Sequence, residues 1–234
     1  MIDAYAITLY GDQTSEHGFN VLCQSSEHVK NDFDIRKFAA VTADTVDEIM
    51  NLHSVKWNYP WQGEVIDFDS GLTKTAYKTK DPKKRMACFM SHYLLWFGVK
   101  DSGRPALILE HDAIFTQQFG INDIAKTPFC ITGINLPLGA TRRARDFYLA
   151  INNHPNKFQQ VPVIDKLNIP QGLAGNSAYF ITPEGAEIML KLTERYGAWP
   201  NDALMCRQLV KPFNLGVTKT FYTTIQGLKS TTTQ

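Results

Sequence analysis

The segment Leu107 to Phe115, LILEHDAIF, sets two carboxylates at the end of an apolar run. If the run is a buried strand, Glu110, His111 and Asp112 arrive at its C-terminal end, where open α/β sheets bind ligands. An aspartate there can hold a divalent cation that phosphate oxygens also bind. Such a cation neutralises a diphosphate and the charge that develops as it leaves. Glu110, two residues back on the same extended face, is placed to reach a ribose or a water beside the metal. His111 should point to the other face, and a structural role fits it better than a ligand role. Charged residues also cap strands without doing chemistry, so this spacing acquires meaning only from the elements around it.

Those elements read as alternating strands and helices. Ala4–Tyr10 is a first buried strand, followed by a polar turn and a helix over roughly Phe19–Val29. Phe38–Val41 is a second strand. Thr42 or Asp44 can cap the next helix, which carries Val46, Ile49, Met50 and Leu52. From 56 to 84 the periodicity fades into an irregular excursion, a possible flap. Its basic run, Lys78 to Arg85, reads as a solvated loop, or as a rim that faces phosphates. The stretch RMACFMSHYLLWFGVK is a helix that ends near Asp101-Ser-Gly, and Ala106–Glu110 is a fully buried strand. Phe129–Ile134 is a further strand, and 136–172 is a second excursion. Ala178–Ile181 is a strand, with Thr182 as N-cap and Pro183 opening the next helix. Asn201 can cap a short helix, and Val217–Tyr222 is the last strand. The expectation is one α/β domain over 1–234, with a central, mostly parallel sheet and helices on both faces.

Bulk properties narrow the function classes. Lys plus Arg is 24 against 23 for Asp plus Glu, and no basic stripe interleaves with aromatics, which argues against nucleic-acid binding. None of the four cysteines forms a CxxC pair, so they read as reduced core residues. Neither a signal peptide nor a transmembrane stretch is evident. The cytoplasm is the expected compartment, with the face of a membrane as a possible neighbourhood.

Three blocks, in order, resemble glycosyltransferase family 25, the lipooligosaccharide-biosynthesis type that includes collagen galactosyltransferase domains. The first is Cys88, Ser91, His92, Trp96 and Gly98, followed by Leu107–Ala113 and Phe115. The second is GNSAYFITPEGAEIML from Gly175, and the third is Trp199-Pro200-Asn201-Asp202. The resemblance implies a GT-A-like nucleotide-diphospho-sugar fold and a UDP-sugar donor, often UDP-galactose. It also implies a manganese-like cation at Asp112, a glycan or glycolipid acceptor, and inversion. Donor contacts then fall on Thr8, Leu9 and Tyr10, and on Ser91 and Glu110; Asn176 and Ser177, in a turn before a strand, could touch the donor sugar or the acceptor, and Gln226 and Ser230 could meet the diphosphate. An inverting transfer needs a carboxylate to take the acceptor proton. Asp202 is the first candidate and Glu184 a distant second, although a helix start would hold the pKa of Asp202 low. Asn201, as the cap, would leave Asp202 free to face the cleft.

The chain departs from the family pattern in three places. The acidic triplet is Glu-His-Asp rather than Glu-Asp-Asp, the loop GDQTSEHG lacks an arginine, and Met86 and Ala87 replace glycines. A catalytically silent relative that binds sugars or partners is therefore the alternative, and metal-dependent hydrolysis of the donor separates the two readings. A nucleotidyltransferase would share the strand-acid geometry but consume a nucleoside triphosphate.

Overall fold

The structure, a computed structural model, describes residues 2–139, 143–210 and 214–228. In chain order the elements are β1 (Asp3–Thr8), α1 (Gln13–His28), β2 (Ile35–Ala39), α2 (Val46–Leu52), β3 (Glu64–Asp67), β4 (Leu72–Thr75), α3 (Pro82–Ser102), β5 (Ala106–Glu110) and β6 (Ala113–Phe115). There follow α4 (Ile121–Ile124), β7 (Ile131–Gly133), α5 (Ala144–Asn153), β8 (Phe158–Gln160), β9 (Ala178–Ile181), α6 (Pro183–Tyr196), α7 (Asn201–Leu204), β10 (Leu215–Thr218) and β11 (Thr223–Ile225). Seven strands form the central sheet in the order β2-β1-β5-β9-β7-β10-β8. β2, β1, β5, β7 and β10 run one way, while β9 and β8 oppose them. The sheet is thus mostly parallel, as expected, with β5 near its middle.

The period-two alternation of β5 divides the core. Ala106 and Ile108 face a layer that includes Phe89 and Trp96 of α3 and Met189 of α6. Leu107 and Leu109 face the opposite layer, with Leu22 of α1 and Ile124 of α4. Burial on both faces is what an uninterrupted apolar run encodes. Helices therefore cover both sides. Among the described residues, no helix is long and apolar enough to cross a membrane.

Several boundaries differ from the sequence reading, each for a local reason. Helix α1 starts six residues earlier than expected, because Asp12 caps it by accepting from the Ser15 amide at 2.8 Å. Its buried positions are Ser15, Gly18, Leu22 and Ser26, mostly small and polar, so hydropathy alone does not reveal the first turns. The N-cap of α2 is Thr45, without a side-chain cap bond, because its hydroxyl meets Thr42 instead. The stretch read as irregular carries the hairpin β3–β4, whose first strand is too exposed to show a pattern. The second excursion contains α5 and β8. The last strand is two: β10 stays in the sheet, and β11 leaves it to pair with β6.

Candidate active site

The parallel strands β1, β2 and β5 end at one edge of the sheet. Because β9 runs against β5, its start, Gly175-Asn176-Ser177, lies at that same edge: the Glu110 amide donates to the Ser177 carbonyl at 2.8 Å. A cavity of about 480 Å³ opens beside these strand ends, lined among others by Leu9, Tyr10, Lys84, Ser91, Glu110 and His111.

Glu110 is held by a buried chain of hydrogen bonds. Trp96 Nε1 donates to the Tyr179 hydroxyl at 2.8 Å, that hydroxyl meets His92 Nδ1 at 2.9 Å, and His92 Nε2 meets Glu110 Oε1 at 3.2 Å. Cys88, His92 and Trp96 share one face of α3 because they lie four residues apart. The indole N–H can only donate, so the hydroxyl is free to donate onward to Nδ1. The other ring nitrogen, Nε2, faces the carboxylate, so the chain runs unbroken from the indole to Glu110. Burial pushes the Glu110 carboxyl up, but the His92 hydrogen bond and nearby positive charge outweigh it and leave the pKa lowered.

Asp112 has the opposite balance. Burial, followed by the charge of Glu110, pushes its pKa up to about 7 against a weaker opposing hydrogen bond from Ser177. Its Oδ1 is buried without a partner. Two neighbouring carboxylates, one fixed as an anion and the other lacking a counter-charge, are what a divalent cation relieves. Cys88, His92 and Glu110 also bring ligand atoms within 4.8 Å of one another. That cluster suits a metal less well, because both ring nitrogens of His92 are engaged and burial pushes the Cys88 thiol up.

A second group lies beside the first. The Tyr77 hydroxyl donates to Asp202 Oδ2 at 2.9 Å, and the Arg85 guanidinium carbon stands 5.1 Å from the centre of the Tyr77 ring. Burial raises the Asp202 pKa against the Tyr77 bond and the Arg85 charge, and Glu110 adds to the rise. A Cβ on Gly172 would lie 1.9 Å from the Asp202 carbonyl oxygen, so only glycine lets these segments meet.

A family model described as glycosyltransferase family 25 (LPS biosynthesis protein) matches residues 24–205, most of the chain. The chain belongs to glycosyltransferase family 25. No curated protein matches it. Family membership points to glycosyl transfer, and the mixed sheet with its loaded edge fits a nucleotide-sugar transferase-like fold.

In this family 25 chain the candidates from the sequence fall into three places. Glu110, Asp112, Asn176 and Asp202 meet at the loaded edge, and both polar side-chain atoms of Asn176 are buried without partners. Leu9, Tyr10 and Ser91 line the cavity, but the Ser91 hydroxyl already donates to the Ala87 carbonyl and accepts from the Val41 amide. Thr8 is fully buried, its hydroxyl bonded to the Ala6 carbonyl. The Gln226 amide nitrogen contacts the carbonyls of Gly18, His111 and Ala113, which clamps the turn holding Asp112. Ser230 lies outside the described residues.

Three expectations are corrected. Glu184 sits at the opposite edge, hydrogen-bonded to Cys130, because antiparallel β9 delivers α6 to the far end of the sheet. Asn201 is not the cap: Pro200 takes that position and Asn201 is the first residue of α7. The helix start does not hold Asp202 low, because α7 is only four residues long and burial dominates. His111 does point away from Glu110, as expected: its ring lies against Gly18 of α1, on the sheet face opposite the α3 histidine that holds Glu110, although both residues line the cavity at the sheet edge. Tyr77, Arg85 and Tyr179 were missed. Tyr77 sits in the patternless segment, Arg85 closes a run that reads as solvated, and Tyr179 reads as ordinary strand core.

Proposed function

We propose that this chain transfers a sugar from a UDP-sugar, UDP-galactose being the first to test, to a hydroxyl of a glycan or glycolipid, with inversion. Asp112, helped by Glu110, would hold a divalent cation, Mn²⁺ first among candidates. When bound, the cation supplies charge neutralisation for the leaving diphosphate. The carrying observation is where buried polar atoms lack partners. Among the described residues these are Arg85 Nε, Asp112 Oδ1, both amide atoms of Asn176, and Asn201 Oδ1. Native interiors satisfy nearly all such atoms. Here every one belongs to a residue of this edge or to the neighbour of Asp202, as a site built for a polar ligand requires.

The other residues divide the remaining work. The cavity beside Leu9, Tyr10 and Lys84 has room for a nucleotide, with the Lys84 ammonium as a counter-charge for its phosphates. The chain from Trp96 to Glu110 fixes the Glu110 carboxylate before the donor arrives. Asp202 is the base: its raised pKa makes it a better proton acceptor than an exposed aspartate, and the Tyr77 hydroxyl orients it. The test is Asp202→Asn, assayed separately for transfer and for donor binding. Turnover should fall by roughly 10²-fold or more with UDP-sugar affinity retained. Unchanged turnover removes Asp202 from the mechanism, and a parallel loss of donor affinity reassigns it to binding.

A further inference from the structure

Lys84 and Arg85 are consecutive in the first turn of α3 yet serve different ends of the site. Lys84 lines the cavity beside the strand ends, and Arg85 does not. The guanidinium of Arg85 instead stacks on Tyr77, whose hydroxyl holds Asp202. Its positive charge acts on Asp202 and Glu110. Among the described residues it forms no ion pair with either, and its Nε is buried without a partner. An arginine held in place by an aromatic face, partly desolvated and without a carboxylate of its own, is unusual. The planar fork matches a carboxylate or a phosphate through two parallel N–H bonds.

We infer that the acceptor carries an anionic group, a carboxylate or a phosphate, close to the hydroxyl that is attacked, and that Arg85 receives it. The inference rests on the transferase reading and names the substrate class on the Asp202 side. Three carboxylates, Glu110, Asp112 and Asp202, would repel an anionic sugar approaching this edge. Arg85 is the cation on the Asp202 side that offsets them, held there against the Tyr77 ring with its Nε unpartnered. Lys84 provides a separate cation for the donor phosphates, so the diphosphate does not need Arg85.

The experiment uses the full chain. UDP is titrated first, with Mn²⁺ present. Glucose, glucuronate and glucose 6-phosphate are then titrated into the UDP-saturated protein. The wild type should bind one of the two anions at least about 10-fold more tightly than glucose, the size of one charge-assisted hydrogen bond. The anion preferred separates carboxylate from phosphate recognition. Arg85→Gln should abolish the preference and leave UDP affinity within about 2-fold, while Arg85→Lys, which keeps the charge and loses the fork, should retain part of it. Thermal melting of each variant confirms that it is folded. Equal binding of all three sugars by the wild type, or a preference that survives Arg85→Gln, overturns the inference. Loss of UDP affinity in Arg85→Gln moves the arginine to the diphosphate and also overturns it. Failure of the wild type to bind UDP appears in the first titration, before any sugar is added, and overturns the transferase reading together with this inference.

Discussion

Replacing Tyr179 by Phe deletes a single oxygen from the middle of the chain that fixes Glu110. That oxygen accepts from Trp96 Nε1 at 2.8 Å and meets His92 Nδ1 at 2.9 Å, and all three side chains are fully buried. The phenyl ring keeps its packing, so the cost lies in two polar atoms left without partners. Each such buried group costs about 1–3 kcal/mol, so the pair costs about 2–6 kcal/mol. For a chain of 234 residues, with about 2–4 °C lost per kcal/mol, Tm should fall by roughly 5–20 °C. Urea denaturation should show a lower midpoint at an unchanged slope. Once His92 is loosened, Glu110 also loses its fixed donor, and metal-dependent UDP affinity should fall by about 10-fold. A stability loss below about 1 kcal/mol would mean that the chain of hydrogen bonds is not what organises this face of α3.

The pH dependence of stability carries the signature of Asp112. Its folded pKa, about 7, lies above its ordinary value of 3.8, so the folded state binds the proton more tightly. The contribution of this group to stability then falls as pH rises from about 4 to 7. With a chelator present, Asp112→Asn should flatten that fall and be the more stable form at pH 8; identical pH profiles in urea denaturation would contradict this. The hairpin β3–β4 is anchored by Lys74, which is almost fully buried, bonded to Asp67 at 2.8 Å and set 4.4 Å from the Trp199 ring centre. Lys74→Met leaves Asp67 unpaired and should cost about 3–5 kcal/mol. Adding Asp67→Asn to that variant should recover part of the loss, and no recovery in thermal melts would argue against the ion pair.

Much of the frame was legible because its signals are local. The apolar run before Glu110 marks a strand buried on both faces, and Thr182-Pro183 marks a helix start that forms as read, with Thr182 accepting from the Gly185 amide. Cys88, His92 and Trp96 at four-residue spacing announce one working face. Less legible was what strand direction decides. Nothing in AYFI says that β9 runs against β5, yet that reversal carries Asn176 to the site and Glu184 away from it. Residues brought in from distant segments were hidden for the same reason. Tyr77 reaches Asp202 across 125 positions, and Tyr179 reaches His92 across 87. Burial likewise inverts the expectation for Asp202, because a four-residue helix supplies too little dipole to compete with desolvation.

The central claim, a nucleotide-sugar site completed by a cation at Asp112, is tested most directly by calorimetric titration of UDP with and without Mn²⁺, in the wild type and in Asp112→Asn. The account predicts measurable UDP binding by the wild type only with Mn²⁺, and loss of that dependence in the variant. Equal UDP affinity of the wild type in the two conditions would contradict it.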